Sequence, residues 1–378
     1  MADMNKPLKV GFIGLKGIPA GWGGIETFVQ EIAIRLAKRG HDINVYSKKE
    51  KYNQYQNFKE LNIINSPTIN IIPIESLVHA FTSSFHAISK NYDLIHLHGY
   101  MSYFTIPILK LNKKKIIITL HGAAWVNPSY NKLGKTIIKL ASIIGIKLSD
   151  AVTAVSLPLK EEIEKHYRVK VTLTPIGSHY TIPVLPHEII EKYNLEPNRF
   201  ILFLGRLEKV KRVDWIIKAF NHINSSLNLI IAGDSQNQNY KNYLYNLSNN
   251  NKRIIFTGFV ESKLKDELMS NCLFFVLPSF VEGMPASLLE AMSYGKASLV
   301  SDISAHKWLI KDSQNGFLFS HTDYNNFVEK IGNIVTMPVG TLSKIGIQAR
   351  EFVRNKFNWD ATANLLENLY FRILEKNN

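Results

Sequence analysis

Residues 272–292 read CLFFVLPSFVEGMPASLLEAM, and their reading decides the fold. The run CLFFVLPS (272–279) is apolar on successive positions, as a strand covered on both faces of a parallel sheet requires. Pro285 then suits the first turn of a helix, where its missing N–H costs nothing. Strand, short turn and helix make one half of a βαβ unit. Backbone N–H groups around Gly283, Met284 and Ala286 (Pro285 has none) would surround the helix N-terminus, which carries partial positive charge and attracts phosphate. Glu282 stands before that turn and Glu290 within the helix, with seven residues between them. A ligand with phosphates at the helix end could offer hydroxyls to both carboxylates, and a sugar, two phosphates and a ribose have that layout. The plainer alternative is a solvated Glu282 and a surface Glu290.

Outward from this stretch the same alternation recurs. In the first half, strand-like runs are 8–14, 42–47, 69–74, 92–98, 115–122, 150–156 and 171–177; in the second they are 199–207, 227–234, 253–259, 272–279, 296–302 and 315–319. Helical patterns separate them. In the first helix Ile25, Phe28, Ile32 and Leu36 recur every three or four residues, and Gly40 closes it. Two series of βαβ units, with Pro183, Pro186 and Pro197 between them, predict two doubly wound α/β domains facing across a cleft, residues 1–182 and 183–358. Ligands in such sheets bind beyond the carboxyl ends of the strands.

The chain has 378 residues, enough for two cores. Its single cysteine, Cys272, supports no disulfide framework and fits a reducing compartment. We expect no signal peptide, because MADMNKPLKVGFIG has no apolar core before the first strand, and no membrane-spanning helix. The expected location is therefore cytoplasmic, with the inner membrane face as a peripheral option. The net charge of +14 is uneven: residues 1–180 hold 23 Lys and Arg against 12 Asp and Glu, residues 181–378 hold 22 against 19. A basic first half seeks anions. No interleaving of aromatic and basic residues indicates nucleic acid. The helix KLGKTIIKLASIIGIKL (132–148) has Ile137, Leu140, Ile144 and Leu148 on one side and Lys135 and Lys139 nearer the other. That stripe suits a core-facing helix or one lying on an anionic membrane.

Three further elements are candidates for chemistry. GRLEKVKRVDWIIKAF (205–220) follows a strand; Gly205 stands at its end, and Arg206 and Lys211 could neutralise a leaving diphosphate or simply be a surface pair. GLKGIPAGWGGIETF (14–28) is glycine-rich and ends at a helix start, where Gly23 and Gly24 would let backbone approach a ligand closely. It holds neither G-x-G-x-x-G nor a Walker lysine, so dehydrogenase and P-loop assignments fail. His121 directly follows a strand in IIITLHG (116–122) and could bond a sugar hydroxyl. His96 and His98, two apart, have metal-pair spacing without a specified third ligand, so structural or cleft-edge roles are expected. No two aspartates are two positions apart, so no D-x-D site for a metal-bound diphosphate exists and no metal cofactor is expected.

Together GRLEKVKRVDWIIKAF, IIAGDS, FTGFV, PSFVEGMPASLLEAMSYGKASLVSD and NGFLF, in that order, resemble the family 4 retaining glycosyltransferases of GT-B fold and cover nearly the whole second half. KGIPAGWGGIETFVQEIAIRLAKRGHDINVYS (16–47) resembles the branch with bacterial rhamnosyltransferases of polysaccharide assembly, and DLIHLHG and TLHG sit where that family has them. The resemblance implies roles. Glu282 would contact donor-sugar hydroxyls and Glu290 the ribose; Arg206 and Lys211 would grip the diphosphate; His121 would lie beside the sugar; Gly23 and Gly24 would line the cleft. The last helix (359–378) would cross back onto the first domain. The partners implied are a nucleotide-sugar donor and a saccharide or lipid-linked acceptor. The chain departs from the family at TPIGSHY, where Ile176 precedes Gly177 in place of a polar residue. A nucleotide-sugar epimerase or hydrolase, and a non-catalytic sugar-nucleotide binding protein, share the architecture and remain open at this stage.

Overall fold

The computed structural model describes residues 6–21, 23–48, 57–69, 71, 74–128, 130–179 and 181–375. They divide into two compact α/β units, one running to Gly177 and resuming at Asn358, the other spanning Ser178–Phe357. The sequence placed these boundaries at 182/183 and 358/359.

In the first unit the strand order is β3 (Asn57–Phe58), β4 (Leu61–Ser66), β2 (Asp42–Lys48), β1 (Lys9–Ile13), β5 (Leu94–His98), β6 (Ile116–Leu120), β7 (Ala151–Ala154) and β8 (Val171–Leu173). Every pairing is parallel except β3 with β4. The second sheet, all parallel, runs β11 (Ile254–Gly258), β10 (Asn228–Ala232), β9 (Phe200–Leu204), β12 (Phe274–Leu277), β13 (Ser298–Ser301) and β14 (Phe317–Phe319). Central strands are buried on both faces, which is why their sequences are continuous apolar runs: Ile116, Ile117 and Ile118 are all fully buried, as are Phe274, Phe275 and Val276. Each sheet reverses its winding once, β1 lying between β2 and β5, and β9 between β10 and β12. A topological switch point leaves a crevice beyond the carboxyl ends of the two strands flanking it. In this chain those ends carry Gly14, His98, Gly205 and Ser279.

The expected helix after β1 spans Gly24–Lys38 and buries Phe28, Ile32 and Leu36. Each such side chain contributes about 1.5–3 kcal/mol of hydrophobic stabilisation. The C-terminal helix Trp359–Glu375 packs beside it in the first unit, burying Leu366, Leu369, Tyr370 and Ile373. His41 anchors it: its Nδ1 accepts from the Leu8 N–H at 3.0 Å, so its Nε2–H donates to Glu367 at 2.7 Å. Arg39 adds a pair to the same carboxylate. Gly177, left without a role by the sequence, is where this helix docks, since a Cβ there would lie 2.5 Å from the Trp359 ring.

Two expectations are corrected. The strand placed at 69–74 lies instead at Leu61–Ser66, where burial alternates and Asn62 points out; Ile69, Ile71 and Ile74 lie in no strand, and residues 70, 72 and 73 fall outside the described residues. A six-residue strand second from the sheet's edge, with only the two-residue β3 outside it, has only a short, mixed apolar signal. In the helix Lys132–Leu148 the core face is Ile138, Ala141, Ser142, Gly145 and Ile146. Ile137, Leu140 and Leu148, read as the apolar side, are exposed, and so is Leu133.

Candidate active site

The second unit gathers its cluster at the carboxyl ends of β9, β12 and β13. Pro278 and Ser279 follow β12, and the next turn brings Glu282 back toward Lys211. The Lys211 Nζ donates to Glu282 Oε1 at 2.5 Å, and the Ser279 hydroxyl donates to the same oxygen at 2.7 Å. Both charged side chains are nearly buried, at 14% and 10% exposure. Burial pushes the Glu282 carboxyl up, but the Lys211 ammonium, with His306 and the two hydrogen bonds, outweighs it and leaves the group below its ordinary range. A desolvated carboxylate held this way stays an acceptor, with Oε2 free of these bonds.

Behind Glu282 stands His306, fully buried. Its Nδ1 faces the Ser301 carbonyl at 2.9 Å and the Ser301 hydroxyl at 3.0 Å, while that hydroxyl donates to the Ser279 carbonyl at 2.5 Å. A carbonyl only accepts, so Nδ1 carries the proton. Burial pulls His306 down to about 4, so the ring is neutral. Sequence reasoning missed Ser279 and His306. Their signal was position: each stands at or one turn past a strand's carboxyl end.

The helix after Glu282 spans Ala286–Ser293. Pro285 is its N-cap, one position earlier than the first-turn place read from sequence, and its carbonyl accepts from Leu288 and Leu289. Gly283 and Ala286 are half-exposed at this end, whereas Met284 and Pro285 are buried beneath it. Glu290, one turn along, is 39% exposed and pairs with Lys265 at 3.1 Å. Arg206 pairs with Glu208 at 2.7 Å, and its side chain is 54% exposed. Gly205 matters through its carbonyl. Gly233, at φ +141° after β10, packs so tightly that a Cβ on it would sit 1.9 Å from that oxygen.

In the first unit the loops after β1 and β5 meet the same way. A Cβ on Gly14, at φ +100°, would lie 1.7 Å from the His98 carbonyl, so only glycine fits. Gly23 caps the Gly24–Lys38 helix, and a Cβ on it would meet Glu26 Oε2 at 2.5 Å; Gly24 is exposed with open space around it. The Glu26 carboxylate, overlooked in the sequence, accepts from the Lys16 N–H at 3.0 Å and ties the glycine-rich loop to the helix. His121 follows β6, half-buried, with its Nε2 2.9 Å from His98 Nδ1. His96 bonds Tyr370 at 2.7 Å and Thr119 at 2.6 Å. Burial holds all three histidines well below their ordinary value, His96 and His121 at about 3. Among the described residues no three His, Cys, Asp or Glu side chains are grouped to hold a metal ion.

Residues 22–177 match the family model described as Glycosyltransferase Family 4, and residues 187–352 match that described as Glycosyl transferases group 1. A UDP-Gal:alpha-D-GlcNAc-diphosphoundecaprenol alpha-1,3-galactosyltransferase of Escherichia coli is 26% identical, over 74% of this chain and 76% of its own. Among solved structures, sucrose-phosphate synthase from Thermosynechococcus elongatus aligns with a TM-score of 0.86 at 20% identity, covering 98% of this chain and 100% of its own. Anabaena HepE in complex with UDP-glucose aligns with a TM-score of 0.79 at 18% identity, covering 96% and 99%. With its two doubly wound sheets, the chain has the GT-B fold.

Proposed function

This chain belongs to the family 4 glycosyltransferases, and from that premise we propose that it moves a sugar from a nucleoside-diphosphate donor to a hydroxyl of a saccharide or lipid-linked acceptor, with retention at the anomeric carbon, in assembly of a bacterial surface polysaccharide. The observation that carries this reading is the Lys211–Glu282 pair, held by Ser279 beside the Ala286–Ser293 helix N-terminus at a switch point. Lys211, Arg206 and that N-terminus stabilise the departing diphosphate in place of a divalent ion. For this the Lys211 ammonium turns from the carboxylate toward phosphate. Glu282 then accepts from hydroxyls of the sugar, and Glu290 from the ribose, releasing Lys265. Gly23, Gly24, Gly205 and residues 283–286 supply close backbone approach. His121 serves the transferred sugar. The leaving diphosphate takes the acceptor's proton on the face from which it departs, so Glu282 and Glu290 are not the two carboxylates of a glycosidase.

The Escherichia coli relative is a UDP-Gal:alpha-D-GlcNAc-diphosphoundecaprenol galactosyltransferase, and HepE is complexed with UDP-glucose; these support a UDP donor and a lipid-linked acceptor here. Resemblance to rhamnosyltransferases in residues 16–47 supports a dTDP-sugar as the competing donor. The experiment is a thermal-shift screen with UDP-, dTDP- and GDP-sugars in EDTA. A donor at 100 times its Kd adds about 2.7 kcal/mol, or roughly 5–10 °C at this domain size. The matching donor then gives acceptor-dependent product. No shift with any nucleotide sugar, or turnover strictly dependent on manganese or magnesium, refutes the reading.

Membrane contact is part of the proposal. On the Lys132–Leu148 helix, exposed Leu133, Ile137, Leu140 and Leu148 are flanked by Lys132, Lys139 and Lys147. Beside it a pocket of about 310 Å³ is lined by Trp125, Lys135, Lys139, Glu162, His166 and Tyr167. An apolar stripe edged by cations suits an anionic bilayer surface that presents a lipid-linked acceptor. Flotation with anionic liposomes, reversed by salt, is expected; equal recovery with neutral vesicles ends this part. No helix among the described residues is long and apolar enough to cross a membrane.

A further inference from the structure

His98 ends β5 and is fully buried, with Phe12 stacked on it at 5.8 Å and His96 at 4.3 Å between ring centroids. Its Nδ1 lies 2.9 Å from His121 Nε2, and its Nε2 is buried with no hydrogen-bond partner among the described residues. The neighbouring ring cannot supply one, because both nitrogens of His96 are taken by Tyr370 and Thr119.

Both rings of the His98–His121 pair are neutral, so one proton lies between them. Two arrangements exist. If His121 donates from Nε2, His98 must carry its own proton on Nε2, as a buried N–H with nothing to accept it. If His98 donates from Nδ1, its Nε2 is a bare lone pair. Orphaned buried N–H groups are rarer in folded proteins than under-satisfied acceptors. The second arrangement wins. His121 then accepts at Nε2 and keeps its proton on Nδ1, the nitrogen that makes no hydrogen bond among the described residues of this half-buried side chain.

We infer that His98 is a positioning residue that fixes the tautomer of His121, so that His121 offers the sugar an N–H and has no lone pair with which to act as a base. The inference rests on the reading that His121 serves the transferred sugar, and it deepens that reading. His121 donates to an oxygen of the sugar or of the leaving group, while the acceptor's proton goes to the diphosphate. The identity of the ring nitrogen that carries the proton is set by the bond the other one makes.

The decisive measurement is long-range ¹H–¹⁵N NMR of the full chain labelled at histidine, at pH 7.5, with His98→Asn and His121→Ala for assignment. The expected result is a pyrrole-type Nδ1 and a pyridine-type Nε2 on His121. The reverse pattern overturns the inference without any kinetics. Turnover is read as UDP release from UDP-glucose. His98→Phe keeps an aromatic ring against Phe12 and removes the donor; kcat falls on the order of 10- to 100-fold, the loss typical of an orienting partner, with KM nearly unchanged. His98→Asn places an Nδ2–H near the lost Nδ1–H and restores most of kcat. A folded His98→Phe protein with wild-type kcat overturns the inference. If His121→Ala itself turns over normally, the assignment of His121 to the sugar fails, whatever the tautomer. If His98→Phe does not fold, the spectra of the wild-type chain still decide.

Discussion

Removing Lys211 separates what holds the second unit together from what does chemistry in it. The Lys211–Glu282 pair is 2.5 Å long and nearly dry, with side-chain exposures of 14% and 10%. Breaking a buried pair by deleting one partner costs about 3–5 kcal/mol, because the other charge is stranded. Ser279 still donates to Glu282, and some exposure remains, so Lys211→Met should cost about 3 kcal/mol. For a unit of this size that is a fall of roughly 6–12 °C in Tm. Glu282→Gln should cost less, about 1 kcal/mol, since a lysine can extend its ammonium to solvent. The double variant Lys211→Met/Glu282→Gln strands no charge. It should recover about 2 kcal/mol of the summed single losses, a coupling typical of contacting residues. Activity should behave differently. All three variants lose on the order of 100- to 1000-fold in kcat, and the double variant recovers none of it. Chemical denaturation gives the stability cycle, and UDP release in EDTA gives the rates. A double variant that regains turnover along with stability would show the pair to be structural. A Lys211→Met protein as stable and as active as wild type would refute the electrostatic assignment altogether.

Other outcomes follow from single contacts. Arg206→Ala should leave Tm within about 1–2 °C, because its pair with Glu208 is solvent-exposed and such pairs contribute little, yet lower kcat on the order of 100-fold or more; near-normal turnover removes Arg206 from the site. Tyr370→Phe should destabilise the first unit by about 1–3 kcal/mol, since it leaves His96 Nδ1 buried without its 2.7 Å partner, and hydrogen exchange should quicken in the Trp359–Glu375 helix first. The buried histidines give a pH dependence with a definite sign. Their folded-state values lie below 6.5, at about 3 for His96 and about 4 for His306, so the unfolded chain binds more protons as pH drops. Stability is therefore full above the unfolded value and is lost as pH falls from about 6.5 toward 3–4. Each of these two groups should withdraw about 2 kcal/mol by pH 5, visible as a steep drop in Tm between pH 7 and 5. His306→Gln should flatten that drop, and an unchanged slope refutes the assignment.

The two sheets were legible because a strand covered on both faces cannot hide: Ile116–Ile118 and Phe274–Leu277 are uninterrupted apolar runs, and their burial is complete. The strand Leu61–Ser66 was not legible, because Leu61, Ile63 and Ile64 are its whole apolar signal, while the neighbouring run 69–74 is richer in isoleucine. The helix Lys132–Leu148 shows a further limit of periodicity. Two apolar stripes share its surface, and spacing alone does not say which one meets the sheet; small residues do, since Ala141, Ser142 and Gly145 are the ones that let it pack close.

The candidate site divides along the same physical line. Residues placed by backbone geometry were readable: Glu282 before a helix start, Lys211 after β9, His121 after β6 and Gly205 at a strand end each follow from the carboxyl-end rule for doubly wound sheets. Residues that act through another side chain were not. The link of His306 to Ser279 through Ser301 and the contact of His98 with His121 come into play because strands distant in sequence are adjacent in space, β12 beside β13 and β5 beside β6, and no spacing along the chain encodes that adjacency; Ser279 itself stands only three residues before Glu282, and its place after β12 was the one signal it gave. These supporting groups decide the protonation of what they touch: Ser279 and Lys211 keep Glu282 an acceptor, and His98 leaves His121 a donor. One side chain that can only accept and one that can only donate suit the proposed reaction, in which the leaving group itself takes the proton, so that under that proposal neither residue changes its protonation state during a turnover.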